Sequence, residues 1–160
     1  MQIVFQLKYW LITVAGILLI SVFGRKLQYL INERINSHLI AASVFLLLVC
    51  VLLLLWTKRE KYQLSSKMIV IASGMLVIAG ISVFFNILYP IEAVHFLVFS
   101  WFGWISAVVL GPFHGAAAIF SIGVGDEILQ HYLPNRVGDI HDVIINLLSG
   151  YTGLILRLRW

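Results

Sequence analysis

Glu127, Gln130 and His131 stand at i, i+3 and i+4 in the stretch "GDEILQHYL", and Asp126 precedes Gln130 by four residues. On a helix this spacing gathers carboxylates, an amide and an imidazole on one face. Such a face can move a proton, and Glu127 with His131 at i, i+4 can also hold a divalent metal when a further ligand lies nearby. A second acid and histidine, Glu92 and His95, sit three residues apart in "YPIEAVHF". Pro90 suits a helix start there and Glu92 suits the positive end of its dipole, which places His95 about one turn inside. A third group follows Pro134: Arg136, Asp139, Asp142 and, four residues on, Asn146. Arg136 can grip an anion such as phosphate bidentately, or simply neutralise the neighbouring acids. Structural uses compete at every one of these positions. Polar groups in apolar helices hold helices together, and either Asp139 or Asp142 can cap the last helix.

The elements that carry these groups are apolar. The chain is 61% hydrophobic and only 11% charged, more apolar than the surface of a soluble domain tolerates. Several runs approach the roughly 20 apolar residues a helix needs to cross about 30 Å of hydrocarbon. The pattern predicts an all-α, polytopic helical membrane protein with about six transmembrane helices, at 9–23, 38–56, 68–89, 93–110, 113–133 and 142–156. The first run lacks a small-x-small cleavage site and reads as a retained span. "TKREKYQLSSK" is the main composition break. It separates residues 1–67, a two-span anchor, from residues 68–160, a four-helix core that carries nearly all the polar chemistry. Within the anchor, "GRKLQYLINERINSH" alternates apolar and charged residues and reads as an amphipathic segment in the headgroups.

Seven Lys and Arg residues fall on one side of this topology (Lys8, Lys58, Arg59, Lys61, Lys67, Arg157, Arg159) and four on the other (Arg25, Lys26, Arg34, Arg136). By the positive-inside rule both termini are cytoplasmic, and "YPIEAVH" and "LPNRVGDIHD" share the outer face. The formal charge of +4 therefore reads as an orientation signal and not as nucleic-acid binding. The single Cys50 excludes an intrachain disulfide. Phe96, Phe99, Trp101, Phe102 and Trp104 read as packing and interfacial anchoring. On the last span Gly150 continues the Asn146 face, and Ser149 with Gly153 forms a small-xxx-small pair that admits a close neighbour. No haem-attachment motif, nucleotide loop or Walker-type sequence is present; the cofactor is unknown and a metal ion stays open.

Asp126, Glu127, Gln130, Pro134, Arg136, Asp142, Asn146, Gly150 and Gly153 together resemble the signature of the VanZ-like family of bacterial integral membrane proteins. His95 in "IEAVHF" is similar to that family's helix-start histidine. The resemblance covers roughly residues 89–156, and the first two spans find no counterpart in it. Ala93 stands where the family often has Lys, and His131, His141 and Asp139 are outside the pattern. The resemblance implies the bacterial cytoplasmic membrane and a cell-envelope role, the founding member being associated with reduced teicoplanin sensitivity. It supplies no reaction.

Two functional readings follow. In one, a membrane enzyme or lipid-handling protein acts on a lipid-linked or glycopeptide-related envelope substrate. Glu92, His95, Asp126, Glu127 and Asp142 are then the candidate catalytic groups, Gln130, Arg136 and Asn146 the candidate substrate-binding groups, and Pro134, Gly150 and Gly153 are structural. Ionisable side chains grouped at one membrane depth favour this reading. In the other, the chain is a non-enzymatic scaffold or accessory subunit that meets partner membrane proteins, and the polar cluster fixes helix packing. A transporter fits less well, because no internal duplication is visible.

Overall fold

The computed structural model describes residues 2–34, 36–60, 65–85, 93–134 and 138–157. The described chain is helical throughout: α1 (Gln2–Asn32), α2 (Ser37–Thr57), α3 (Ser66–Phe85), α4 (Ala93–Tyr132) and α5 (Ile140–Arg157). Polar residues begin the helices where free N–H groups need acceptors. The Asn36 carbonyl accepts from Leu39 and the Ser65 carbonyl from Ile69, as the residue before a first helical turn does.

Helix α4 is two helices in one. Gly111 has φ 78° and ψ 171° and is followed by Pro112, a backbone region that only glycine occupies readily. The chain folds back at this point. A Cβ on Gly115 would lie 3.1 Å from the backbone of Ser106, and one on Gly123 would lie 3.7 Å from the Phe99 ring. The two limbs therefore run antiparallel, and they match the separate helices predicted at 93–110 and 113–133. Helix α1 continues unbroken to Asn32, so the basic stretch after residue 24 is continuous with the first helix. No proline interrupts it, and a glycine inside a helix costs only about 1 kcal/mol.

Helix α5 lies along the first limb of α4 in the same direction and along the second limb in the opposite one. His95 meets Asn146 near the starts of the two parallel helices. Further on, a Cβ on Gly103 would come within 1.8 Å of the Gly150 carbonyl oxygen, and one on Gly153 within 1.8 Å of the Ser100 carbonyl oxygen. Only residues without side chains let two backbones approach this closely. On its other side α5 presents Gly150 to Ile119 on the second limb. Helix α1 crosses the outside of the hairpin, where Trp10 Nε1 donates to Ser106 Oγ at 2.9 Å and Trp101 Nε1 donates to Thr13 Oγ1 at 3.2 Å. A core of Ile17, Phe99, Phe102, Ile105, Ile119 and Leu154 fills the junction.

Beside this apolar core the burial pattern departs from a soluble protein's. Ser21, Ser106, Asp126, Glu127, Gln130, Asn146, Ser149 and Thr152 are buried, while Leu19, Leu46, Leu53, Leu54, Val70 and Phe113 are exposed. Among the described residues two stretches, Gln6–Gly24 and Val94–Tyr132, are long and apolar enough to cross a membrane. The second contains the reversal at Gly111, and a straight helix of its 39 residues would be about 58 Å long, nearly twice the hydrocarbon thickness.

Candidate functional site

Four helical segments meet at a buried polar centre. Asp126, on the second limb of α4, is 2% exposed and Asn146 on α5 is fully buried. Ser21 Oγ of α1 donates to Asp126 Oδ1. Gln130 Nε2 donates to Asp126 Oδ2 at 3.1 Å and to Glu127 Oε1 at 3.1 Å, so one amide bridges two acids. Asn146 Nδ2 makes a longer contact of 3.5 Å to Asp126 Oδ2. His95, half-buried on the first limb, has its Nδ1 2.8 Å from Asn146 Oδ1.

These contacts favour one order of protons. Asn146 turns its NH2 toward the Asp126 carboxylate and its amide oxygen toward His95. That oxygen can only accept, so in the neutral imidazole the proton sits on Nδ1 and Nε2 keeps its lone pair. Phe99 stacks on the imidazole, with ring centroids 6.1 Å apart and planes within 15°, which fixes the ring's plane. Ser21, His95, Asp126 and Gln130 line one cavity of about 20 Å³ together with apolar residues including Ile17, Val98 and Phe99. That space suits one water molecule or one substrate hydroxyl.

The neighbouring turn is built around Glu127. Asp139 Oδ1 accepts from the backbone N–H of His141 at 2.9 Å, which makes Asp139 the N-cap of α5 and settles which of the two acids caps. The backbone N–H of Asp139 in turn donates to Glu127 Oε2 at 3.1 Å, tying the end of α4 to the start of α5. A Cβ on Gly138 would lie 2.5 Å from the Glu127 carbonyl oxygen, so the turn needs a residue without one. Asp142 is half-buried in the first turn of α5, one turn before Asn146, where a carboxylate suits the helix dipole. Pro134 directly follows the last turn of α4, and Gly150 and Gly153 occupy the close contact with the first limb.

The structure thus brings together His95, Asp126, Glu127, Gln130 and Asn146. It does not pair Glu127 with His131: Glu127 is buried, whereas His131 is exposed and packs edge-on against Tyr132. Their spacing places them on one side of the helix, but Glu127 turns toward Gln130 and Asp139. Among the described residues no three His, Cys, Asp or Glu side chains are grouped to hold a metal ion. Glu92 and Arg136 lie outside the described residues. Ser21 is the member that sequence reasoning missed. A single serine in "LLISVFG" looks like one that bonds its own helix, and Ser21 Oγ does lie 2.9 Å from the Ile17 carbonyl oxygen.

No match to the chain was found among the curated proteins or the solved structures. A family model described as VanZ/LLP1 matches residues 16–159. The matched region takes in every side chain of the polar centre, Ser21 on α1 included, and it also spans the whole of α2, which the sequence resemblance leaves without a counterpart. With Asp126, Gln130, Asn146 and His95 gathered at one point and nearly the whole chain inside the match, this protein belongs to the VanZ/LLP1 family.

Proposed function

We propose that this chain is a multi-pass protein of the bacterial cytoplasmic membrane that performs proton-transfer chemistry on a lipid-borne envelope substrate. The burial pattern supports the bilayer setting, since large apolar side chains are exposed on every described helix and polar ones are buried on α1, α4 and α5. In this reading the hairpin counts as two crossings of six, and the excess of Lys and Arg supports cytoplasmic termini and a polar centre toward the outer face.

The observation that carries the chemical reading is the Asp126, Asn146, His95 series. It favours the proton on His95 Nδ1 and a lone pair on Nε2, and His95 lines a water-sized cavity. In this reading His95 takes a proton from a water or a substrate hydroxyl, a contribution worth about 10²- to 10⁴-fold in rate. Asp126 and Asn146 hold it in the required tautomer. Gln130 and Ser21 hold the carboxylate, and Arg136 is the candidate to receive an anionic group of the substrate. Glu92, Glu127 and Asp142 remain candidates for carrying the proton onward.

The small volume of the cavity favours a second reading, in which the network serves only to lock four helices together and the protein is a scaffold for partner membrane proteins. The two readings separate on His95→Gln, expressed in bacteria in place of the native chain. Catalysis predicts that detergent-purified His95→Gln melts within a few degrees of wild type. It also predicts that glycopeptide susceptibility and lipid-linked precursor pools, measured by mass spectrometry, match those of the deletion strain. A folded variant with full activity in the cell would refute the catalytic reading.

A further inference from the structure

At the other end of the bundle from the polar centre, α1 and α2 each pack against α4 without packing extensively on each other. Between them lies a groove of about 690 Å³ floored by the first limb of α4 and by α5, a volume typical of small-molecule sites. Its walls are mostly apolar, with Leu52 and Leu55 from α2, Leu97 and Trp104 from α4 and Leu156 from α5, and α1 contributes Gln6. Arg157, half-buried in the last turn of α5, also lines it. Among the described residues Arg157 makes no ion pair; the one ion pair there is Arg59 with Glu60. Arg59 is also held by the Trp56 carbonyl oxygen at 3.1 Å and stands 5.2 Å from the centre of the Trp56 ring.

A part-buried guanidinium with no counter-charge among the described residues, next to a largely apolar groove, is matched by an amphiphile that has an anionic head and a hydrocarbon tail. We infer that the groove binds one anionic glycerophospholipid, with its phosphate on Arg157 and an acyl chain along Leu52, Leu55 and Leu97. Arg157 suits this role better than lysine, because its planar fork pairs two phosphate oxygens at once. The site is distinct from the His95 centre. It depends on the proposed bilayer setting but not on any catalytic role.

The test is native mass spectrometry of the full-length protein released from detergent micelles containing phosphatidylglycerol and phosphatidylcholine in equal amounts. Wild type is expected to retain one phosphatidylglycerol with about fivefold preference, the effect of one basic residue beside an anionic headgroup. Arg157→Gln should lose the preference and Arg157→Lys should keep most of it. Leu52→Trp, which narrows the groove and leaves the charge, should reduce retention of both lipids. Equal retention of the two lipids by wild type, an unchanged preference in Arg157→Gln, or a lipid-free dimer in place of the lipid-bound monomer would overturn the inference. None of these results bears on the His95→Gln phenotype, so the two proposals fail independently.

Discussion

Gly103→Ala is the substitution whose cost the structure defines most sharply. Its Cβ would lie 1.8 Å from the Gly150 carbonyl oxygen and 2.7 Å from the carbonyl carbon. Both are backbone atoms, so no side-chain rotation relieves the overlap. Reaching ordinary contact at 3.4 Å means moving α5 and the first limb of α4 apart by about 1.6 Å. A gap of 0.5–1 Å already forfeits about a quarter to a half of each contact's dispersion energy, and overpacking of this kind costs about 1–3 kcal/mol. With backbone on one side of the clash and a helix axis on the other, the upper end, about 3 kcal/mol, is expected. The disturbance reaches the polar centre. His95 lies eight residues earlier on the same limb, and a shift of half that size there would stretch its 2.8 Å contact with Asn146 to about 3.6 Å, past hydrogen-bonding reach. Gly16→Ala is the control, because nothing lies within 4 Å of its added Cβ, and alanine favours helix by up to about 1 kcal/mol. Circular dichroism during denaturation of detergent-purified protein by sodium dodecyl sulfate measures both variants. If Gly103→Ala unfolds at the wild-type midpoint, the close approach of α4 and α5 is wrong.

Two further substitutions probe the hairpin and the network. Gly111→Ala forces a side chain into a glycine-only backbone region, where strain runs to about 1–3 kcal/mol; the same denaturation assay should show a loss in that range, against none if α4 is one straight helix. Asn146→Leu removes the partner of His95 Nδ1 in a fully buried position. It should cost about 2 kcal/mol, the penalty for leaving buried polar groups unsatisfied, and His95→Gln in the Asn146→Leu background should then cost less than it does alone, as measured by a double-mutant cycle.

How far the sequence revealed this arrangement varied with the range of the interaction. The hairpin was legible because Gly111 and Pro112 sit between two apolar runs, and the Asp126–Gln130 contact because four residues return a helix to the same face. Asp126 and Asn146 were each visible as polar residues in apolar helices. Their joint contact with His95, 51 residues before Asn146, depends on how α5 crosses the hairpin, and helical spacing does not encode that. Ser21 was invisible for the same reason. The Glu127–His131 spacing misled because i, i+4 fixes where side chains start, and the cap at Asp139 decides where Glu127 ends. The basic stretch after Gly24 read as an amphipathic segment past the first span, and it contains no proline to stop α1, which runs on to Asn32. Glu92 and Arg136, both prominent in the sequence, are outside the described residues.

The central claim is that Asp126 and Asn146 hold His95 with its proton on Nδ1 and a lone pair on Nε2. Nitrogen-15 magnetic resonance of the full chain in lipid, labelled at histidine and assigned by the signal that His95→Gln removes, reads this directly. The account predicts a protonated Nδ1 and a pyridine-type Nε2 for the neutral ring, and loss of that preference in Asn146→Leu. A proton on Nε2 in wild type, or a tautomer unchanged by Asn146→Leu, would contradict it.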